Sequence, residues 1–143
     1  MTCLFCEIVA GRPVAGGNAE VVWREAHGVA FLDHRPLFAG HVLLIPAEHV
    51  ETLDELPAAQ VGPFFHMTQK LAVAVERAMG AQGTFVAINN RVSQSVPHLH
   101  VHIVPRSKGD GLKGFFWPRH PYGSEDELRE TGRLIREELL RQP

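Results

Sequence analysis

His98-Leu99-His100-Val101-His102-Ile103-Val104-Pro105 decides how this chain is read. Three histidines alternate with three aliphatic residues. In an extended strand successive side chains point to opposite faces. His98, His100 and His102 then share one face, and Leu99, Val101 and Ile103 the other. Neighbouring imidazoles on such a row sit roughly 6.5–7 Å apart. One histidine on a strand is ordinarily a surface or hydrogen-bonded residue. Three in strict alternation opposite an apolar face need a use. Two are open: metal binding through neutral imidazoles, or a polar catalytic platform for an anionic substrate.

The chain around this row is 143 residues long, the length of one domain with a real core. Its formal charge of −2 gives no basic footprint for nucleic-acid binding. No apolar run of about 20 residues could span a membrane. Residues 1–10 lack the regions of a secretory signal. The reading is a cytoplasmic protein that binds neither nucleic acid nor membrane. The two cysteines, Cys3 and Cys6, form a C-x-x-C. So close a pair closes too small a loop to be a useful staple. A redox pair is expected beside a βαβ unit, and nothing before Cys3 supplies a strand. Metal binding is the better reading.

Outward from the histidine row, Leu99–Val104 and Phe85–Ile88 read as strands. Val42–Ile45 is a continuous apolar run, as in a strand buried on both faces. Val21–Trp23 and Val29–Leu32 read as a hairpin turning through residues 25–28. Residues 3–9 read as a short turn or helix start. The main helical region spans 54–79, with Pro57 and Pro63 expected to confine its beginning to short turns. Phe64, Met67, Leu71, Val75 and Met79 recur at helical spacing, and Gly80 ends the run. Ser124 with Glu127 fits a capping box for a last helix over about 124–141. Strands, one long helix, strands again and a terminal helix predict an α+β domain with a largely antiparallel sheet.

The H-x-H-x-H motif, followed by two apolar residues, resembles the signature of the histidine triad (HIT) superfamily. Phe31-Leu32-Asp33, Gly40-His41-Val42-Leu43-Leu44-Ile45-Pro46, His49, Asn89-Asn90 and Gln94-Ser95-Val96 stand in that family's usual order. The likeness covers about residues 3–106, leaving 107–143 as a C-terminal extension and helix of a single domain, 1–143. It implies a five-stranded antiparallel sheet with one long helix, commonly paired as a homodimer.

It also implies chemistry. Imidazole is largely neutral near pH 7 and can attack phosphorus. A covalent intermediate then splits one hard step into two. Carried onto this chain, His100 is the nucleophile that takes up a nucleoside monophosphate. His102 would contact the phosphoryl oxygens and assist the leaving group. Gln94, Ser95 and Asn89 fall where the family places phosphate contacts. Asp33 falls at the ribose-binding acid, with Phe5, Ile8 and Phe31 flanking the purine base. His41 is either a support for the triad or a hydrogen-bonded structural residue. Many relatives complete a zinc site with the residues that here are His49 and His98. The implied set is Cys3, Cys6, His49 and His98, a structural Zn²⁺ with no open position. The rival is a catalytic zinc on two triad histidines, which leaves both cysteines without a role. Many relatives carry a longer, glycine-containing loop where this chain has Asn90-Arg91-Val92-Ser93, and Arg91 adds a cation near the expected phosphates.

The resulting expectation is a nucleotide hydrolase or transferase that cleaves a purine nucleoside phosphoramidate or phosphoanhydride. The alternatives are a zinc-stabilised nucleotide-binding regulatory protein and a nucleotidyltransferase or phosphorylase with an acceptor other than water. His27, His34, His66 and His120 read as surface or structural residues. Phe115-Phe116-Trp117-Pro118 either closes the core or borders an active site, of its own chain or of a partner's.

Overall fold

A computed structural model describes residues 2–112 and 119–143. The Phe115–Pro118 segment lies outside the described residues. The chain divides into two compact units, one ending at Asp110 and one spanning Gly111–Pro143.

In the first unit a short helix α1 (Leu4–Val9) precedes strands β1 (Val21–Glu25), β2 (Gly28–Leu32) and β3 (Val42–Pro46). Helix α2 (Ala58–Ala78) follows, then β4 (Gly83–Ile88) and β5 (Val101–Arg106). The five strands form one sheet in the order β1-β2-β3-β5-β4, and every neighbouring pair is antiparallel. This is the α+β architecture that the pattern predicts.

The alternation of side chains divides the core in two. Ala30, Val42, Leu44, Leu99, Val101 and Ile103 pack on Phe64, Met67, Leu71 and Val75 of α2. Val29, Phe31, Leu43 and Ile45 take the opposite face, beneath Phe5 and Ile8 of α1. All five residues of β3 are buried, which explains its unbroken apolar run. The histidines fall on the α1 face, because Leu99, Val101 and Ile103 are committed to α2.

Three local expectations are corrected. The last strand begins at Val101, so His98, Leu99 and His100 approach the ladder without belonging to it. Their amides find other partners: His98 N–H bonds to the Val96 carbonyl and Leu99 N–H to that of Val50. The His100 and His102 rings are consequently closer than on a regular strand, with centroids 4.9 Å apart. Second, Pro63 does not restrict the start of the long helix but lies inside it. Gly62 precedes it and offers no Cβ to the proline ring, which removes part of the usual clash. Third, Met79 stands outside the buried stripe, at the C-cap of α2 and half exposed.

In the second unit, helix α3 (Glu125–Arg141) starts at Ser124, whose hydroxyl accepts the Glu127 amide. The Glu127 carboxylate reaches back to the Gly123 amide, one residue earlier than in a standard capping box.

Candidate active site and metal centre

Two groups of side chains meet on the α1 face. In the first, the ligand atoms of Cys3, Cys6, His49 and His98 all lie within 4.8 Å of one another. Cys3 Sγ is 3.5 Å from His98 Nδ1, Cys6 Sγ is 3.6 Å from the same nitrogen, and Cys6 Sγ is 3.3 Å from His49 Nδ1. A tetrahedron built on Zn–S and Zn–N bonds has edges of about 3.3–3.8 Å. The donors are therefore already spaced as a zinc ion would hold them. The His98 tautomer agrees: Nε2 donates to the Pro46 carbonyl at 3.0 Å, which leaves the Nδ1 lone pair toward the sulfurs. Burial pushes the His98 pKa down and keeps the ring neutral. The Cys6 thiol is pushed up to about 11, first by burial, then by the hydrogen bond and charge of Cys3. Two adjacent sulfurs cannot both ionise there unless a cation takes their charge. The donor set fits Zn²⁺, and among the described residues it leaves neither cysteine without a partner.

The second group brings together His100, His102 and His41. His100 Nδ1–H donates to the His98 carbonyl at 2.8 Å. A carbonyl only accepts, so the proton is on Nδ1 and the Nε2 lone pair is free. The Phe5 ring stands edge-on to His100 at 5.2 Å and also to His98 at 5.9 Å. His41 is buried, and its Nδ1 accepts the Leu37 amide at 3.1 Å. The His41 proton must then sit on Nε2, which is 3.0 Å from His102 Nδ1. His102 accepts that proton bond and carries its own proton on Nε2 as a donor. Burial, then the neighbouring His100 and His41, push the His102 pKa down to about 4. Burial lowers His41 as well, against the pull of Asp33. Both rings are neutral at pH 7. The site thus presents an unprotonated nitrogen on His100 beside an N–H donor on His102, a pairing suited to nucleophilic attack with a hydrogen bond to the developing negative charge.

The other expected site residues are placed unequally. Asp33 stands at the mouth of the His41 pair, with Oδ2 3.8 Å from His41 Nδ1 and Oδ1 accepting the Arg35 amide. Phe5 and Phe31 meet edge to face at 5.4 Å, and both are core residues with little exposed surface. Asn89 directly follows β4, whose last residue Ile88 pairs with Val101. Ser95 is exposed in the loop before His98. The Gln94 amide is engaged in the loop itself, donating to the Glu51 carbonyl and accepting the Arg91 amide. Sequence reasoning missed Asn90, whose side chain accepts the Leu53 amide, and the Leu37 amide that fixes His41. It also missed Thr52 and Asp54, which contact Arg91. His27, His34, His66 and His120 are exposed, as expected.

Comparison with known proteins matches this geometry. The HIT domain family profile matches residues 17–109. The adenosine 5′-monophosphoramidase of Schizosaccharomyces pombe is 34% identical over 137 residues, 94% of this chain and 96% of that protein. A HIT family protein from Bacillus subtilis superposes with a TM-score of 0.85 at 30% identity, covering 100% of this chain and 99% of that one. A zinc-bound histidine triad family protein from Mycobacterium smegmatis does so with a TM-score of 0.71 at 31% identity, covering 98% of each chain. The fold and the triad therefore define a HIT-type protein. The chain belongs to the HIT domain family.

Proposed function

We propose that the protein hydrolyses a purine nucleoside 5′-phosphoramidate, or a related phosphoanhydride, through a nucleotidyl-histidine intermediate. The observation that carries this is the pairing of a free His100 Nε2 with an N–H donor on His102. His100 Nε2 attacks the α-phosphorus and forms a P–N bond. The bond to the leaving amine breaks, and the amine departs with a proton from solvent while His102 Nε2–H donates a hydrogen bond to a phosphoryl oxygen. Water then attacks the same phosphorus and gives its proton to solvent. Nucleoside monophosphate leaves as His100 recovers its lone pair. Ser95 and Asn89 would hold the phosphoryl oxygens, and Asp33 would accept hydrogen bonds from the ribose.

Register supports the path of the rest of the substrate. His102, Leu43, Phe31 and Val21 are cross-strand neighbours on one face. That row ends at a cleft of about 220 Å³ lined by Ile8, Ala19, Val21 and Arg24. The base would run along it toward that cleft, over the Phe5–Phe31 pair. Cys3, Cys6, His49 and His98 would hold a structural Zn²⁺. Its chemistry is to neutralise two thiolates and fix the His98 backbone whose carbonyl orients His100. A cytoplasmic homodimer fits the half-exposed Val61, Phe65 and Val73 on α2 and Val86 on the edge strand β4.

The test is release of AMP from adenosine 5′-phosphoramidate. The wild type should turn over, and a folded His100→Ala variant should not. No turnover by a folded, zinc-loaded wild type would overturn the phosphoramidase reading. A transferase with another acceptor would show itself by exchange of label between AMP and a dinucleotide or nucleoside diphosphate.

A further inference from the structure

The segment His49–Asp54 runs beside the chain that leads into the triad, and each of its residues makes a contact there. The His49 ring meets that of His98, with centroids 5.0 Å apart. The Val50 carbonyl accepts the Leu99 amide at 2.7 Å. The Glu51 carbonyl accepts Gln94 Nε2–H at 2.6 Å. Thr52 Oγ1 accepts from the Arg91 guanidinium at 3.5 Å. The Leu53 amide donates to Asn90 Oδ1 at 2.9 Å. Asp54 Oδ2 accepts from Arg91 at 3.0 Å. The cysteine–histidine cluster closes one end of this seam, and an ion pair closes the other.

Between those ends the loop holds an unusual backbone. Arg91 and Ser93 are both left-handed, with φ of 67° and 62°. Residues with a Cβ populate that region sparsely, and such conformations persist only where their surroundings over-determine them. The seam supplies the surroundings. Arg91 is fixed at its amide by Gln94 Oε1 at 2.8 Å and at its guanidinium by Asp54. Asp54 is oriented in turn by the Thr52 hydroxyl at 2.5 Å. Residues 90–95 include no glycine, so none of them takes this backbone without cost.

We propose that Asp54 and Arg91 form a positioning latch, an ion pair that holds loop 90–95 in its left-handed shape and so sets the phosphate contacts against His100. The proposal rests on reading that loop as the phosphate-binding one. The Arg91 and Asp54 side chains are 65% and 61% exposed, and ion pairs that exposed contribute little to global stability. The latch acts on local order and on catalysis, and scarcely on folding.

The experiment uses the full-length, zinc-loaded protein and three variants: Asp54→Asn, Arg91→Lys and the charge swap Asp54→Arg with Arg91→Asp. Aspartate tolerates a left-handed backbone, so the swap does not add strain at position 91. Four quantities are read: amide exchange at residues 91–94 without ligand, AMP affinity, kcat and KM for adenosine 5′-phosphoramidate, and Tm. Asp54→Asn should speed exchange in the loop, weaken AMP binding, and lower kcat/KM roughly two- to five-fold, mostly in kcat. Arg91→Lys should lie between it and the wild type, and the swap should restore most of the loss. Tm should move by no more than about 4 °C. Unchanged kinetics and AMP affinity in Asp54→Asn would overturn the latch, whether or not exchange changes. So would a lowered kcat/KM that the swap fails to restore. If the wild type does not turn over phosphoramidate, that failure belongs to the proposed reaction. AMP affinity, lost in Asp54→Asn and regained in the swap, then decides the latch by itself.

Discussion

Leu37 contributes to the site only a backbone N–H, yet that group decides where two protons sit. By donating to His41 Nδ1 it forces the His41 proton to Nε2 and the His102 proton to its outer nitrogen. Removing His41 should therefore cost activity even if it touches no substrate. His41→Ala should lower kcat on the order of 10²-fold, the range of a lost hydrogen bond to the developing negative charge. His41→Gln, whose side-chain amide can still donate to His102 Nδ1, should retain more. Equal losses in the two variants would sink the tautomer argument. The same buried pair predicts a pH effect on stability. His102 has a folded pKa of about 4, below the ordinary histidine value of 6.5. Between those two pH values the unfolded chain binds a proton that the folded site refuses. Stability should fall as pH drops from about 6.5 to 4, level off below, and owe nothing to this residue above 6.5. At about 1.4 kcal/mol per pH unit, discounted for the part of the ring that solvent screens, His102 accounts for an effect on the order of 1–2 kcal/mol. Urea unfolding of His102→Gln at pH 7 and pH 4.5 should show a smaller difference than the wild type. The residue types of this site were legible in the sequence, and so was the place of His100 between two neighbouring histidines. The proton positions were not, because they depend on a backbone amide that residue identity does not encode. The left-handed Arg91 and Ser93 were equally hidden, since their side chains give no sign of the backbone beneath them.

At the scale of elements, the apolar patterns that depend on local period carried through. The run Val42–Ile45 is a strand buried on both faces, and Phe64, Met67, Leu71 and Val75 are the buried stripe of α2. Errors fell where tertiary partners overrode local signals. Val50 takes the Leu99 amide that a longer β5 would have placed in the ladder. Pro63 stays inside α2 because Phe64 and Met67, just beyond it, are held in the core. That helix carries a removable defect. Pro63 cannot donate to the Ala59 carbonyl, and Gly62 adds backbone entropy to the unfolded chain. No heavy atom lies within 4 Å of where a Gly62 Cβ would stand. Gly62→Ala alone should gain little, because the new Cβ meets the proline ring. Gly62→Ala together with Pro63→Ala should stabilise by ~2 kcal/mol or more, on helix propensity. Denaturant midpoints of the single and double variants measure this. A double variant no more stable than the wild type would mean that the proline shapes the entry to α2 in a way the core requires. Gly40 gives the opposite case. With φ of +94°, it would bring a new Cβ to 2.5 Å from Met79 Cγ. Gly40→Ala should cost ~2 kcal/mol or more and displace His41 beside it.

Across the whole first unit, the cysteine–histidine cluster joins segments that are far apart in sequence. Cys3 and Cys6 open α1, His49 follows β3, and His98 precedes β5; the contacts span 95, 92 and 43 positions. The C-x-x-C was visible as a metal motif, but its partners came only through family resemblance, since no local spacing links residue 6 to residue 49 or 98. A six-residue helix has no stability of its own in water. Phe5 and Ile8 hold α1 by burial, and the cluster would hold its N-terminus. A bound metal would then do two separable things. It would stabilise the fold by mass action, by ~4 kcal/mol at free zinc a thousandfold above the dissociation constant. It would also keep Phe5 against His100 and the His98 carbonyl on His100 Nδ1. The protein should bind one Zn²⁺ per chain, or Co²⁺ with the absorption of a tetrahedral thiolate site, and Cys6→Ser should lose both. Chelation should lower Tm by about 8–16 °C. Amide exchange should rise first in α1 and at residues 98–100, before the strands β2 and β3 respond. If exchange rises uniformly, the metal only adds stability. If α1 and the His98–His100 segment loosen while Tm is restored with an osmolyte and activity is still lost, then the cluster also sets the nucleophile, and the order of the active site depends on a clasp built from the first six residues of the chain.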